Sequence, residues 1–122
     1  MELKIIDKNF SICKVTDFSQ TDLGAEFCFT ARTDEECSLV CPVENVPSNV
    51  TTRDDNWKAL RIQGVLDFSL IGILSGISAV LAENKIGIFV VSTYNTDYIL
   101  VKESNLVAAV DTLKENGYTV IS

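Results

Sequence analysis

The sequence of 122 residues contains no histidine, two prolines, one tryptophan and one methionine. Without histidine, Ser-His-Asp and Cys-His catalysis, imidazole general-base chemistry and most zinc sites are excluded. Positive charge is also scarce: 10 Lys and Arg face 17 Asp and Glu, a net charge of −7. Nucleic acids and anionic membranes recruit concentrated Lys and Arg, so neither is expected as a partner. Long hydrophobic runs are missing too. The longest uncharged stretch, Phe68 to Ala82, has 15 residues and carries Ser and Gly throughout. A membrane span needs about 20 predominantly apolar residues, so this stretch reads as a buried helix. Charges interrupt Met1-Glu2-Leu3-Lys4-Ile5-Ile6-Asp7-Lys8, which therefore lacks the apolar core of a secretory signal. A cytoplasmic location is the expectation.

No two of the four cysteines have CxxC spacing. Cys13, Cys28, Cys37 and Cys41 all lie in the first half, Cys28 between two phenylalanines and Cys41 at the end of an apolar run. Free cysteine is among the most buried residue types, so structural thiols are expected, with Cys37 the most exposed. No metal site and no cofactor are expected. P-loop and GxGxxG patterns are absent as well.

What remains is an ordinary globular composition, 47% apolar and 22% charged. The length suits one compact domain, or two half-sized units sharing a core. Acid is concentrated early: residues 1–56 hold 11 Asp and Glu against 5 Lys and Arg, and residues 57–122 hold 6 against 5. A solvated acidic surface accounts for this.

The second half is the more legible. Trp57 to Gly64 alternates large apolar with polar residues, the period of a half-buried strand. A helix is predicted to open at Leu66-Asp67-Phe68-Ser69, capped by Asp67 or Ser69. Leu70, Ile73, Leu74, Ile77, Val80 and Leu81 then form an apolar stripe. Gly72, Ser75, Gly76 and Ala79 form a small-residue face that something must approach closely. Asn84 suits a C-cap. Ile86 to Ser92 reads as a central strand covered on both faces. Thr93-Tyr94-Asn95-Thr96 makes a turn, and Asp97 to Val101 returns antiparallel. Ser104 caps a last helix carrying Leu106, Ala109, Val110 and Leu113, which ends at Gly117 before a strand at Tyr118–Ile121. This order predicts an α+β fold, a split βαβ sandwich with two helices on one face of an antiparallel sheet.

In the first half, Ile5–Val15 and Glu26–Thr30 read as strands. Thr33-Asp34-Glu35-Glu36 has the form of a capping box before a short turn of helix and a strand at Ser38–Cys41. Pro42 and the polar stretch Pro47–Asn56 read as a linker. Residues 1–56 are thus an abbreviated, mostly β half, and residues 57–122 the complete unit.

Leu66-Asp67-Phe68-Ser69-Leu70-Ile71-Gly72-Ile73-Leu74, with Ser92-Thr93-Tyr94-Asn95-Thr96-Asp97-Tyr98-Ile99-Leu100-Val101, resembles a family of small bacterial ACT-domain proteins. There a degenerate ACT-like half precedes an intact one. The family is similar in turn to the cytosolic arginine sensors of animals. Ala31 to Pro42 also resembles its first half. The resemblance implies a ferredoxin-like βαββαβ ACT domain packed with an ACT-like N-terminal half. It further implies a non-catalytic regulatory module binding a free amino acid at the interface of ACT units.

An amino acid presents a carboxylate and an ammonium. Backbone amides of Phe68, Ser69 and Leu70 at a helix N-terminus suit the first, and Asp67 or Asp97 the second. Hydroxyls of Ser69, Thr93 and Thr96 add polar groups, and Ile73, Tyr94 and Phe89 an apolar wall. Asn95 stands where the family has Asp, leaving Asp97 as the second acid. Val40–Glu44 or a second chain would close the pocket. Each residue also has a plainer role: Asp67 as a helix cap, Asp97 as a turn support, and Phe68 and Phe89 as core. The partners expected are an amino acid, a second copy in a homodimer, and a protein partner. The alternative is a ligand-free interaction or dimerisation module.

Overall fold

The structure, a computed structural model, describes residues 1–64 and 71–122. It divides into two compact units, Met1–Asp7 with Lys58–Ser122, and Lys8–Trp57. Two long strands, β1 (Glu2–Val15) and β4 (Val50–Ile62), contribute to both units, because each boundary falls inside one of them.

The first unit holds the beginning of β1 and the end of β4, followed by α1 (Ile73–Glu83), β5 (Phe89–Ser92), β6 (Asp97–Lys102), α2 (Leu106–Glu115) and β7 (Thr119–Ile121). From β4 onward, strand, helix, strand, strand, helix, strand is the order expected from the sequence; the start of β1 is an added strand, and its pairing with β7 is parallel where an antiparallel sheet was expected. Leu60 and Ile62 on β4 and Ile99 and Val101 on β6 recur with the period of a strand. On the helices, Ile77 with Leu81 and Ala109 with Leu113 recur at four residues. Together with Leu3 and Ile86 these side chains form one buried core. Burying each Leu or Ile contributes roughly 1.5–3 kcal/mol of transfer free energy.

The strands of this unit run β7-β1-β4-β6-β5. The beginning of β1 therefore lies between β7 and β4. Glu2, Leu3 and Lys4 pair in parallel with Thr119, Val120 and Ile121. The Thr119 amide donates to the Met1 carbonyl at 3.0 Å, and the Gln63 amide to the Glu2 carbonyl at 2.9 Å. Leu3, fully buried, makes this insertion favourable.

Several local expectations change. β5 is an edge strand and not a central one, with Phe89 exposed. Its β-branched residues suit an edge as well as a centre, since propensity does not report the number of neighbours. The helix expected at 66–69 begins at Ile73, with Gly72 at the N-cap in the left-handed region (φ 84°) and no side-chain cap. Asp67, Ser69 and Leu70, expected to cap and line it, lie outside the described residues. The close approach expected on the small face occurs at Gly76, where a Cβ would meet the Tyr118 hydroxyl at 3.2 Å. Ser75 and Ala79 are exposed. Asn84 caps α1 as expected, its side-chain amide donating to the Val80 carbonyl at 3.0 Å. Before α2, the cap is Asn105 after a 3-10 turn (Glu103–Asn105), and Ser104 makes no cap.

The second unit orders β2 (Phe29–Arg32), β3 (Cys37–Pro42), β1 and β4 side by side. Every residue of it is described, and none lies in an α-helix. Thr33-Asp34-Glu35-Glu36 starts no helix. The Thr33 hydroxyl accepts the Glu35 and Glu36 amides at 3.1 and 3.2 Å, but the Thr33 amide donates to the Glu36 carbonyl at 2.9 Å and closes a hairpin turn. The polar stretch Val50–Asn56 is strand, not linker. Pairing partners rather than an apolar face hold it: the Thr51 hydroxyl donates to the Lys14 carbonyl at 3.2 Å.

Cys13, Val15, Leu39 and Cys41 form this unit's core, with Cys28 and Cys37 half-buried around it. Cys37, expected to be the most exposed, is half-buried, as is Cys28. Burial, reinforced by neighbouring Cys13 and Cys28, pushes the Cys41 thiol up to about 12.

Two hairpins match. Phe29 pairs with Val40 and Arg32 with Cys37, as sixty residues later Phe89 pairs with Leu100 and Ser92 with Asp97. Each turn is closed by a threonine amide, Thr33 to Glu36 and Thr93 to Thr96, and each hairpin is followed by a 3-10 turn.

Two measurements check this account. Gly72→Ala places a Cβ on a left-handed residue and is expected to cost about 1–2 kcal/mol in urea unfolding. In thiol titration with a disulfide reagent at pH 8, Cys13 and Cys41 are expected to react only after denaturation, because both are buried from the reagent and Cys41 in addition stays protonated.

Candidate functional site

The end of β4 and the β5–β6 turn enclose a groove of about 280 Å³ in the first unit, lined by Arg61, Ile62, Gln63, Gly64, Thr93, Asn95, Thr96 and Tyr98. Its geometry follows from strand alternation. Leu60 and Ile62 turn to the helices, so Arg61 and Gln63 emerge on the opposite face. On β6, Ile99 and Val101 enter the helix-side core, and Tyr98 lies beside Arg61.

The turn is rigidly tied. The Thr93 amide donates to the Thr96 carbonyl at 2.8 Å, and the Thr93 hydroxyl donates to the same oxygen at 2.9 Å. Buried Thr96 donates its hydroxyl to the Ile62 carbonyl at 2.6 Å, fastening the turn to the end of β4. Gly64, at φ 93°, continues from there in a conformation that favours glycine.

Arg61 supplies the charge. Its Nε donates to Gln63 Oε1 at 2.9 Å, and its guanidinium carbon lies 5.9 Å from the centre of the Tyr98 ring. Every other lining group among the described residues is neutral: the Asn95 and Gln63 amides, the Thr93 and Thr96 hydroxyls, the Tyr98 phenol, Ile62 and Gly64. A cation among neutral hydrogen-bonding groups can hold and orient a small anion-bearing molecule. Among the described residues no group of three or more Cys, Asp or Glu is placed to hold a metal ion.

The structure brings together part of the expected set. Thr93 and Asn95 line the groove, with Thr96 between them and Tyr98. Tyr94 stands at the turn tip, 80% exposed. Asp97 shares the strand face of Ile99 and Val101 and accepts a hydrogen bond from the Ser92 hydroxyl, so it is not a lining residue. Ile73 packs against the helix-side core. Asp67, Phe68, Ser69 and Leu70 lie outside the described residues. The amides of α1's first turn are those of Ile73, Leu74 and Ser75.

Arg61, Gln63 and Tyr98 were not anticipated. The alternation of Trp57–Gly64 had already put Arg61 and Gln63 on one face, but a polar strand face reads equally well as solvated surface. The signal was the pair at i and i+2 running into Gly64, beside a turn already suspected.

Comparison with known proteins identifies the fold. The ACT domain family matches residues 52–115. A crystal structure of protein Atu0741 from Agobacterium tumefaciens is 32% identical and superposes with a TM-score of 0.87, over 99% of this chain and 92% of that one. Protein VC0802 of Vibrio cholerae, of unknown function, superposes with a TM-score of 0.72 at 19% identity, over 93% of this chain and 88% of that one. The ligand-free regulatory subunit of aspartate kinase from Thermus thermophilus shares the fold at 8% identity, with a TM-score of 0.62 over 93% of this chain and 95% of that one. No curated protein matches by sequence. With more than half its length matched by the family, and a relative of nearly its own length above 30% identity, the chain belongs to the ACT domain family.

Proposed function

We propose that this chain is a non-catalytic regulatory module that binds a free amino acid beside the Thr93–Asp97 turn. The observation that carries the reading is the groove within an ACT unit, whose lining, among the described residues, offers one guanidinium, two amides and three hydroxyls. Its volume suits a molecule of amino-acid size. A protein of the same fold serves as the regulatory subunit of aspartate kinase, which favours regulation over catalysis here. In this reading Thr93 and Asn95 hydrogen-bond the ligand, and Asp67 partners its ammonium. The part assigned to Asp67, Phe68, Ser69 and Leu70 rests on the sequence.

The matched hairpins support a tandem origin, with Lys8–Trp57 as a degenerate ACT-like half. The sequence agrees: Ile12, Val15 and Asp17-Phe18-Ser19 are spaced as Ile62, Val65 and Asp67-Phe68-Ser69.

One observation favours a second reading, an interaction module that pairs with a second copy or another protein. β5 is a sheet edge with Phe89 exposed, and Val107 on α2 is 74% exposed.

A thermal-shift screen against the twenty amino acids separates the two readings. A ligand at a hundredfold excess over its Kd adds about 2.7 kcal/mol, so a rise of several degrees is expected for one of them. Asn95→Ala is expected to reduce the rise. A flat screen together with a dimer in sizing and light scattering would favour the interaction module instead.

A further inference from the structure

We propose that Arg61 is the receptor for a carboxylate, held ready in the groove by Gln63 and Tyr98. Strand β4 itself provides the comparison. Arg53 and Asp55, two residues apart, form a two-point ion pair, Nε to Oδ1 at 3.0 Å and Nη2 to Oδ2 at 3.1 Å. Eight residues later the same spacing recurs as Arg61 and Gln63, with an amide where the first pair has a carboxylate. Gln63 Oε1 takes the Arg61 Nε hydrogen bond at 2.9 Å and so orients the guanidinium without neutralising it.

Three further features agree. Acids outnumber bases by 17 to 10, yet among the described residues no Asp or Glu lies within ion-pair distance of Arg61. Arg61 is half-buried in the groove, where a counter-charge is worth more than at the open surface. The guanidinium carbon lies over the Tyr98 ring, 5.9 Å from its centre, a contact that helps to place the cation and adds no negative charge. A planar fork of donors matches a carboxylate better than a point charge would. Asn95 and Thr93 line the same groove and can hydrogen-bond whatever bears that carboxylate.

The bearer is an amino acid only if the proposed function holds, whereas the carboxylate site stands on this geometry by itself. The test follows the Arg61 Nε–Hε resonance in ¹⁵N-labelled protein during titration with sodium acetate, the twenty amino acids and inorganic phosphate. Calorimetry is run on the wild type, Arg61→Gln and Gln63→Glu. The last variant is the sharper one, because it gives Arg61 the internal partner that Arg53 already has and keeps the fold's volume.

Acetate or an amino acid is expected to move the resonance, and both variants to weaken binding roughly ten- to hundredfold, with the melting temperature of Gln63→Glu no lower than that of the wild type. Movement with acetate but with no amino acid would support the site and sink the amino-acid reading. An amino acid that binds wild type and Gln63→Glu equally would overturn the site and leave that reading standing. Movement with phosphate alone, or with no probe, would overturn the carboxylate receptor.

Discussion

Glu2, Leu3 and Lys4 pair with Thr119, Val120 and Ile121 across almost the whole sequence, and the first unit is organised by that pairing. Leu3 is fully buried in the same core as Ile77, Leu81 and Leu113. The Glu2 carbonyl accepts the Gln63 amide, so the strand that fills the sheet also fixes the backbone of a groove residue. Removing it would leave a gap between β7 and β4 and an unpaired amide at the groove's edge. Core stability and site geometry thus share one short segment.

The groove owes its character to the division of labour between strand faces. Even-numbered residues of β4's end, Leu60 and Ile62, satisfy the core, which leaves Arg61 and Gln63 free to carry chemistry on the other side. Thr96 reverses the usual bargain: it is buried, yet polar, and its hydroxyl joins the turn to β4 through the Ile62 carbonyl. That bond fixes the position of the turn from which Asn95 and Thr93 line the groove.

Periodicity revealed the elements whose apolar residues face a single core. The stripes of α1 and α2, the β6 return and the cap at Asn84 were all legible for that reason. What escaped was information about neighbours. Phe89–Ser92 is as β-branched as a central strand but has one partner strand among the described residues, and Val50–Asn56 is strand because β1 runs beside it. Thr33 offers the same hydroxyl to nearby amides whether a helix or a hairpin follows, and only the strands on either side decide. In the site, the turn Thr93–Thr96 was legible from its composition. Arg61 was not, since an arginine on a polar strand face looks the same in sequence whether it meets water, a carboxylate or a ligand.

The pairing of β1 with β7 also sets an order of events in folding. Local hairpins such as β5–β6 close after short loops, but the Leu3–Val120 pair must close a loop of more than a hundred residues. Such non-local contacts form late and slow the passage to the native state. During synthesis Glu2, Leu3 and Lys4 therefore lack their β7 partner until Thr119 to Ile121 have been made. The second unit, Lys8–Trp57, is contiguous and carries no such delay, so it can assemble while the first is still incomplete.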